Sequence, residues 1–163
     1  LKLIKKNIPK EYKSSLKTVV ADMEALPFED SSFDVVTSAG SLSYGDSKKV
    51  LSEIHRILKC EGYFICIDSL NENPIYKLNR YIQYLRKKRS KITIDQMPSN
   101  ATINLYKNFF NIIEESYFGS ITWVGPLLAF FIGQKSAKKL LNSFDKKMKI
   151  KNSAFKFVLI VKK

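Results

Sequence analysis

Cysteine, histidine and paired glycines are all scarce in this sequence, and each scarcity excludes a class of protein. Two cysteines, Cys60 and Cys66, in 163 residues are too few and too close for a disulfide framework, and no second pair exists to complete a zinc site. They read as reduced structural thiols, and no metal is expected. The six glycines, Gly40, Gly45, Gly62, Gly119, Gly125 and Gly133, never form Gly-x-Gly, the turn that cradles a nucleotide-type cofactor after a first strand. No long apolar run occurs either. The nearly uncharged stretch Phe118 to Gly133 is broken by two glycines and a proline and falls short of the roughly 18 apolar residues a spanning helix needs. No membrane span is therefore expected. The opening "LKLIKKNIPKEYK" has neither an apolar h-region nor a small-residue cleavage site, so it is not a secretory signal, and a cytoplasmic location is the expectation.

Positive charge is what the sequence has in plenty. Against 15 Asp+Glu stand 28 Lys+Arg, a formal charge of +13, which suits nucleic acid, anionic lipid or a phosphorylated substrate. The lysines are spread along the whole chain, so a solvated surface is the simpler reading and nucleic acid is not the expected partner. The densest cluster, "RKKRSK" from Arg86 to Lys91, is the first place to look for anion binding. With 45% apolar and 12% aromatic residues, the chain can build one substantial core.

Periodicity divides the chain into an alternating first half and a helix-rich second half. Leu16 to Ala21 ("LKTVVA") and Phe33 to Ser38 ("FDVVTS") read as short buried strands separated by turn chemistry at Pro27 and "EDSS". Val50, Leu51, Ile54, Ile57 and Leu58 fall on one helical face, with Asp46 as N-cap and Gly62 beyond the C-terminus. "YFICID", Tyr63 to Asp68, then returns as a strand whose near-continuous apolar character suits a sheet covered on both faces. Asn73-Pro74 opens a surface helix with an apolar stripe at Ile75, Leu78, Ile82 and Leu85 and cations outward. A poorly patterned segment follows, then "NIIEESYFG" as a weak strand. Pro126 starts a helix that Gly133 breaks, Ala137, Leu140, Leu141, Phe144 and Met148 continue an amphipathic one, and "SAFKFVLIVKK" closes as a strand.

In "ADMEALPFEDSSFDVVTSAGSLSY" and "LSEIHRILKCEGYFICID", an acid precedes Leu-Pro-Phe, the next strand reads Phe-Asp-Val-Val, and the helix carries Glu-x-x-Arg-x-Leu-Lys before a glycine turn. In this order these residues resemble the second half of a class I S-adenosylmethionine-dependent methyltransferase, of the branch that acts on small molecules, quinones and sugars. "SAFKFVLIVKK" looks like that family's last strand, and "YFGSITW" with the helices behind it looks like the insertion that caps the acceptor side. The resemblance implies an α/β fold: a Rossmann-like methyltransferase sheet, truncated by its first two strands, with a helical insertion before the last strand. Residues 1–163 would form a single partial domain, with 16–68 as the cofactor-side half, 69–153 as the cap and insertion, and 154–163 as the last strand. The family's Gly-x-Gly turn and its acid at the end of the second strand have no counterpart here, and "KCEG" stands where the family has Lys-Pro-Gly-Gly, a change expected to lengthen or loosen that turn.

The same resemblance assigns S-adenosylmethionine as cofactor and a small-molecule acceptor, anionic or sugar-like, as partner. Asp22 would accept a hydrogen bond from the adenine amino group while the Met23 N–H meets a ring nitrogen; alternatively Asp22 caps a turn. Leu26, with Pro27 and Phe28, would wall the adenine or simply pack in the core. Ser38, Ala39 and Gly40 would let backbone approach the methionine end or merely shape a loop. Tyr44 and Asp68, at the carboxyl ends of strands, are weak candidates to orient or deprotonate an acceptor hydroxyl. His55 lies one residue from a core-facing isoleucine and should point along its helix flank, while Glu53 and Arg56 are placed for a local ion pair. Trp123 with Leu127, Leu128, Phe130 and Phe131 reads as a buried cap helix, or as an apolar lid or membrane-facing patch. Methyl transfer by in-line attack on a sulfonium needs positioning and a dry pocket more than acids or metals, and a chain without the glycine turn is expected to bind cofactor poorly. The alternative from another class is a non-catalytic basic module that binds anionic lipid or nucleic acid through Arg86 to Lys91.

Overall fold

The computed structural model describes residues 9–147 and 150–163. Its frame is a four-stranded sheet of β1 (Phe33–Ala39), β2 (Leu58–Ser69), β3 (Asn111–Phe118) and β4 (Lys156–Lys162), in the order β1-β2-β4-β3. β1 runs parallel to β2, with Val36 opposite Phe64 and Ser38 opposite Cys66. β4 runs antiparallel to β2 and to β3, setting Leu159 between Cys66 and Glu115. The strands read from the sequence at Phe33 to Ser38, Tyr63 to Asp68 and in "SAFKFVLIVKK" are thus neighbours in that order, the last antiparallel to the others.

Helix α1 (Ser47–Ile57) joins β1 to β2. The Asp46 carboxylate accepts the Lys49 N–H at 3.0 Å, satisfying one of the orphan donors of the first turn. Its buried face is Val50, Leu51, Ile54 and Ile57, of which the first three join Phe64 and Cys66 of β2, Phe157, Leu159 and Val161 of β4, and Ile103 and Tyr106 of α4 (Asn100–Tyr106) in one cluster. Only this face of the sheet is closed among the described residues. Tyr63 and Ile67 on the other face are exposed, which corrects the expectation of a sheet covered on both sides.

The "KCEG" turn is not loosened. Gly62 lies inside β2 rather than beyond the helix, and a Cβ there would stand 2.9 Å from the Lys59 carbonyl oxygen and 3.1 Å from that of Asp34. Glycine is required for that approach. Glu61 takes the left-handed position, at φ 66°, a conformation that costs a residue with a Cβ about 1–2 kcal/mol, and its carboxylate pairs with Lys162.

Leu16 to Ala21 forms no strand. The segment runs unpaired, with Val19 and Val20 exposed, because no strand among the described residues lies beside it to complete a ladder. Of the two arrangements open to a strand without its neighbours, pairing with β1 or lying free, the chain adopts the second.

The helical half departs further. Asn73 caps α2 (Pro74–Leu85) through the Ile75 N–H, as expected, but the helix turns its cation inward. Arg80 is buried, donating to the Leu70 carbonyl and the Asn71 side chain, while the stripe Ile75, Leu78, Ile82 and Leu85 faces out. After α3 (Lys91–Asp95), α4 and β3 comes α5 (Gly125–Ile132), which has no buried residue and so is not the buried cap helix expected. α6 (Gln134–Lys147) buries Ala137 and Leu141; Met148 of the predicted stripe lies outside the described residues.

Candidate cofactor and acceptor clefts

The carboxyl end of β1 divides two clefts. The first, of about 330 Å³, runs between the loop at Met23–Phe28, strand β1 and the inner face of α1, and ends at Ser38 and Ser41. Every residue that lines it is uncharged. A flat apolar ring suits such a slot, whereas a bare phosphate would find no cation there. The second, of about 220 Å³, is lined by Ala39, Gly40, Ile67, Asp68, Ser69 and Lys156.

Held against the first cleft, the loop after Asp22 owes its shape to a pair of side chains on α1. Glu53 and Arg56, three residues apart, form the local ion pair expected of them, at 2.8 Å. They also reach across to the loop: the Glu53 carboxylate accepts the Leu26 N–H at 2.8 Å, and the Arg56 guanidinium donates to the carbonyls of Leu26 and Phe28 and to the Asp30 carboxylate. These mutual contacts hold the Glu53 carboxyl below its ordinary range, chiefly through Arg56, and push the Arg56 guanidinium further up. Glu24 adds a second tie, accepting the Asp46 N–H at 2.7 Å at the start of α1. The effect is to turn Met23, Leu26 and Phe28 into the cleft, with Phe28 set edge-on to Phe33 at 5.0 Å. Sequence spacing revealed the pair but not the loop it holds.

The sequence-predicted residues separate accordingly. Met23, Leu26 and Ser38 share the first cleft; Ala39 and Gly40 share the second with Asp68. Asp22 lines neither, and its carboxylate accepts the Glu24 N–H at 2.9 Å in a local turn. Gly40 adopts φ +69°, with open space where a Cβ would stand, so it is the backbone conformation that requires glycine there. Asp68 is buried, and its two oxygens accept the Leu42 N–H at 3.0 Å and the Ser69 N–H at 2.6 Å. Burial raises its pKa despite these bonds, and the side chain latches the loop after β1 onto β2. Tyr44 is exposed and lines neither cleft. His55 packs on the helix flank against Phe109 and Phe110, as expected, and its pKa is lowered by burial and by the Lys163 ammonium. No group of metal-ligating side chains occurs among the described residues.

Known proteins give this geometry a context. Residues 1–66 match the methyltransferase domain family. A sterol 4-C-methyltransferase of Caenorhabditis elegans is 45% identical over 65 residues, covering 39% of this chain and 20% of the relative. A ubiquinone/menaquinone biosynthesis C-methyltransferase of Rickettsia prowazekii is 42% identical over 65 residues, covering 39% and 26%. The matched part of the chain thus spans about a fifth to a quarter of these relatives. Among solved structures, the geranyl diphosphate C-methyltransferase of Streptomyces coelicolor superposes with a TM-score of 0.60 at 15% identity, over 93% of this chain and 55% of the other, a likeness of fold. The sequence likeness to methyltransferases is thus carried by residues 1–66, and over the rest of the chain the likeness is one of fold.

Proposed function

We propose that the chain supports methyl transfer from S-adenosylmethionine to a small-molecule acceptor, contributing the adenine wall and the acceptor side of the site. The observation that carries this reading is the clamp of Glu53 and Arg56, which fixes Met23, Leu26 and Phe28 along an uncharged cleft that ends at Ser38. That cleft fits the adenine part of the cofactor, and Met23, Leu26 and Ser38 would hold it there; Asp22 would join them by giving up its turn hydrogen bond. Ala39 and Gly40 would pass backbone beside the methionine end. When bound, the cofactor supplies an activated methyl group. This chain's own residues then exclude water with apolar side chains and set the acceptor near Lys156 and the second cleft. Lys156 there suits an anionic or hydroxyl-bearing acceptor, while Asp68, through the Leu42 and Ser69 N–H groups, positions the loop beside it.

The described residues offer no Gly-x-Gly cradle for the ribose and methionine parts, so affinity of this chain alone should be weak, on the order of millimolar. Calorimetry with S-adenosylhomocysteine tests this. Weak saturable binding that is lost in Arg56→Ala, and reduced in Asp22→Ala, is expected; binding untouched by Arg56→Ala would remove the adenine-wall assignment.

A further inference from the structure

Charge and apolar surface are segregated along this chain in a way that methyl transfer does not require. No Asp or Glu occurs from Asn73 to Ile94 or from Ser116 to Phe144; all 15 lie elsewhere. The first acid-free stretch contains α2 and the run Arg86, Lys87, Lys88, Arg89 and Lys91; the second contains α5 followed by Lys135, Lys138 and Lys139. Each stretch therefore sets a helix with exposed apolar side chains just ahead of a group of cations.

In both stretches the apolar side chains stand in solvent. On α2 these are Ile75, Leu78 and Leu85; at α5 they are Trp123, Phe130 and Phe131, with Phe130 84% exposed. The cations that follow are exposed as well, and none has a carboxylate partner among the described residues. The two helices are tied at one joint. The Tyr76 hydroxyl near the start of α2 donates to the Gly119 carbonyl at 2.9 Å and lies 2.5 Å from the Thr122 hydroxyl, one residue before Trp123.

An aqueous surface does not leave this much aromatic and aliphatic area uncovered without a partner. Acid-free cationic runs beside it select an anionic one. We infer that α2 and α5, with the cationic runs after them, form a docking surface for an anionic lipid bilayer, the apolar side chains entering the headgroup boundary and the Lys and Arg side chains pairing with lipid phosphates. No helix among the described residues is long and apolar enough to cross a membrane, so this is attachment to the surface rather than a span. The inference does not rest on the methyltransferase reading, since it uses neither cleft.

Trp123 is the only tryptophan and reports on the surface directly. The full chain is titrated with vesicles of phosphatidylcholine containing phosphatidylglycerol, and with vesicles of phosphatidylcholine alone, while its emission is followed. A blue shift with the anionic vesicles, and a much smaller one without phosphatidylglycerol, is expected. Replacing Arg86, Lys87, Lys88 and Arg89 by Glu should weaken binding by about tenfold or more. Leu78→Asp with Phe130→Asp should abolish the blue shift while the far-ultraviolet spectrum stays unchanged, which separates lost docking from lost folding. Equal response to both vesicle types, no response to either, concealment of Trp123 by self-association without lipid, or an effect of duplex DNA equal to that of the vesicles would each overturn the proposal.

Discussion

Helices α1 and α2 carry the same instructions and meet opposite fates. Each begins after an Asx cap, each runs eleven or twelve residues, and each has an apolar stripe at helical spacing. In α1 that stripe is closed: Val50 is 1% exposed and Ile54 5%. In α2 it is open: Leu78 is 61% exposed, while the buried residue is Arg80, at 4%. Amphipathic spacing tells which face is apolar but not what will cover it. α1 is placed between two parallel strands, so the sheet supplies the cover, and the same placement lets Glu53 and Arg56 reach the cleft loop. α2 has no such bracket, and its stripe stays exposed among the described residues.

The comparison breaks most visibly under truncation of one leucine in each helix. Leu51→Ala, which empties space in the closed core, should cost about 2–5 kcal/mol, whereas Leu78→Ala should stay within about 0.5 kcal/mol; urea unfolding of the two variants measures both. Similar losses would mean that α2 is covered in solution. The inward cation of α2 comes next. Burial lowers the Arg80 pKa to about 10, and the side chain holds the Leu70 carbonyl and the Asn71 side chain beneath the helix. Arg80→Ala should therefore cost about 1.5–3 kcal/mol, the range for hydrogen bonds made by a charged group, read from the same unfolding curves. A neutral result would show that α2 is not anchored through its polar side.

The smallest effect belongs to α1 and depends on pH. The His55 pKa lies below 6.5 in the folded chain, because burial and the Lys163 ammonium disfavour the imidazolium. The unfolded chain takes up its proton first, so stability falls as pH drops below 6.5 and levels off once the folded ring is protonated. His55→Phe should flatten that part of a melting-temperature profile. An unchanged slope would assign it to other groups.

Much of the closed half was legible in the sequence, because its signals are local. Asp46 as a cap, the apolar face of α1, the strands at Phe33, Tyr63 and Ala154, and the flank position of His55 all follow from residue type and spacing. The strand at Leu16 to Ala21 did not follow, since a β-branched run becomes a strand only where a neighbour supplies a ladder. Orientation of α2 was likewise hidden: burying Arg80 depends on Leu70 and Asn71 presenting oxygen atoms beneath it, which no periodicity reveals. At the site, the resemblance named Met23, Leu26 and Ser38, and these three line one cleft. That they are held by Arg56 was not, because the bonds span some thirty residues and end on backbone carbonyls.

The proposed reading assigns the cofactor wall to the closed half and a docking surface to the open half; residue-resolved binding tests that division most directly. Backbone amide spectra of the labelled chain are recorded during titration with S-adenosylhomocysteine. Shifts at Met23, Leu26 and Ser38 that saturate together, with Ile75, Leu78 and Leu85 unmoved, are the predicted result. Shifts confined to α2, or none at the cleft at saturating ligand, would contradict the account.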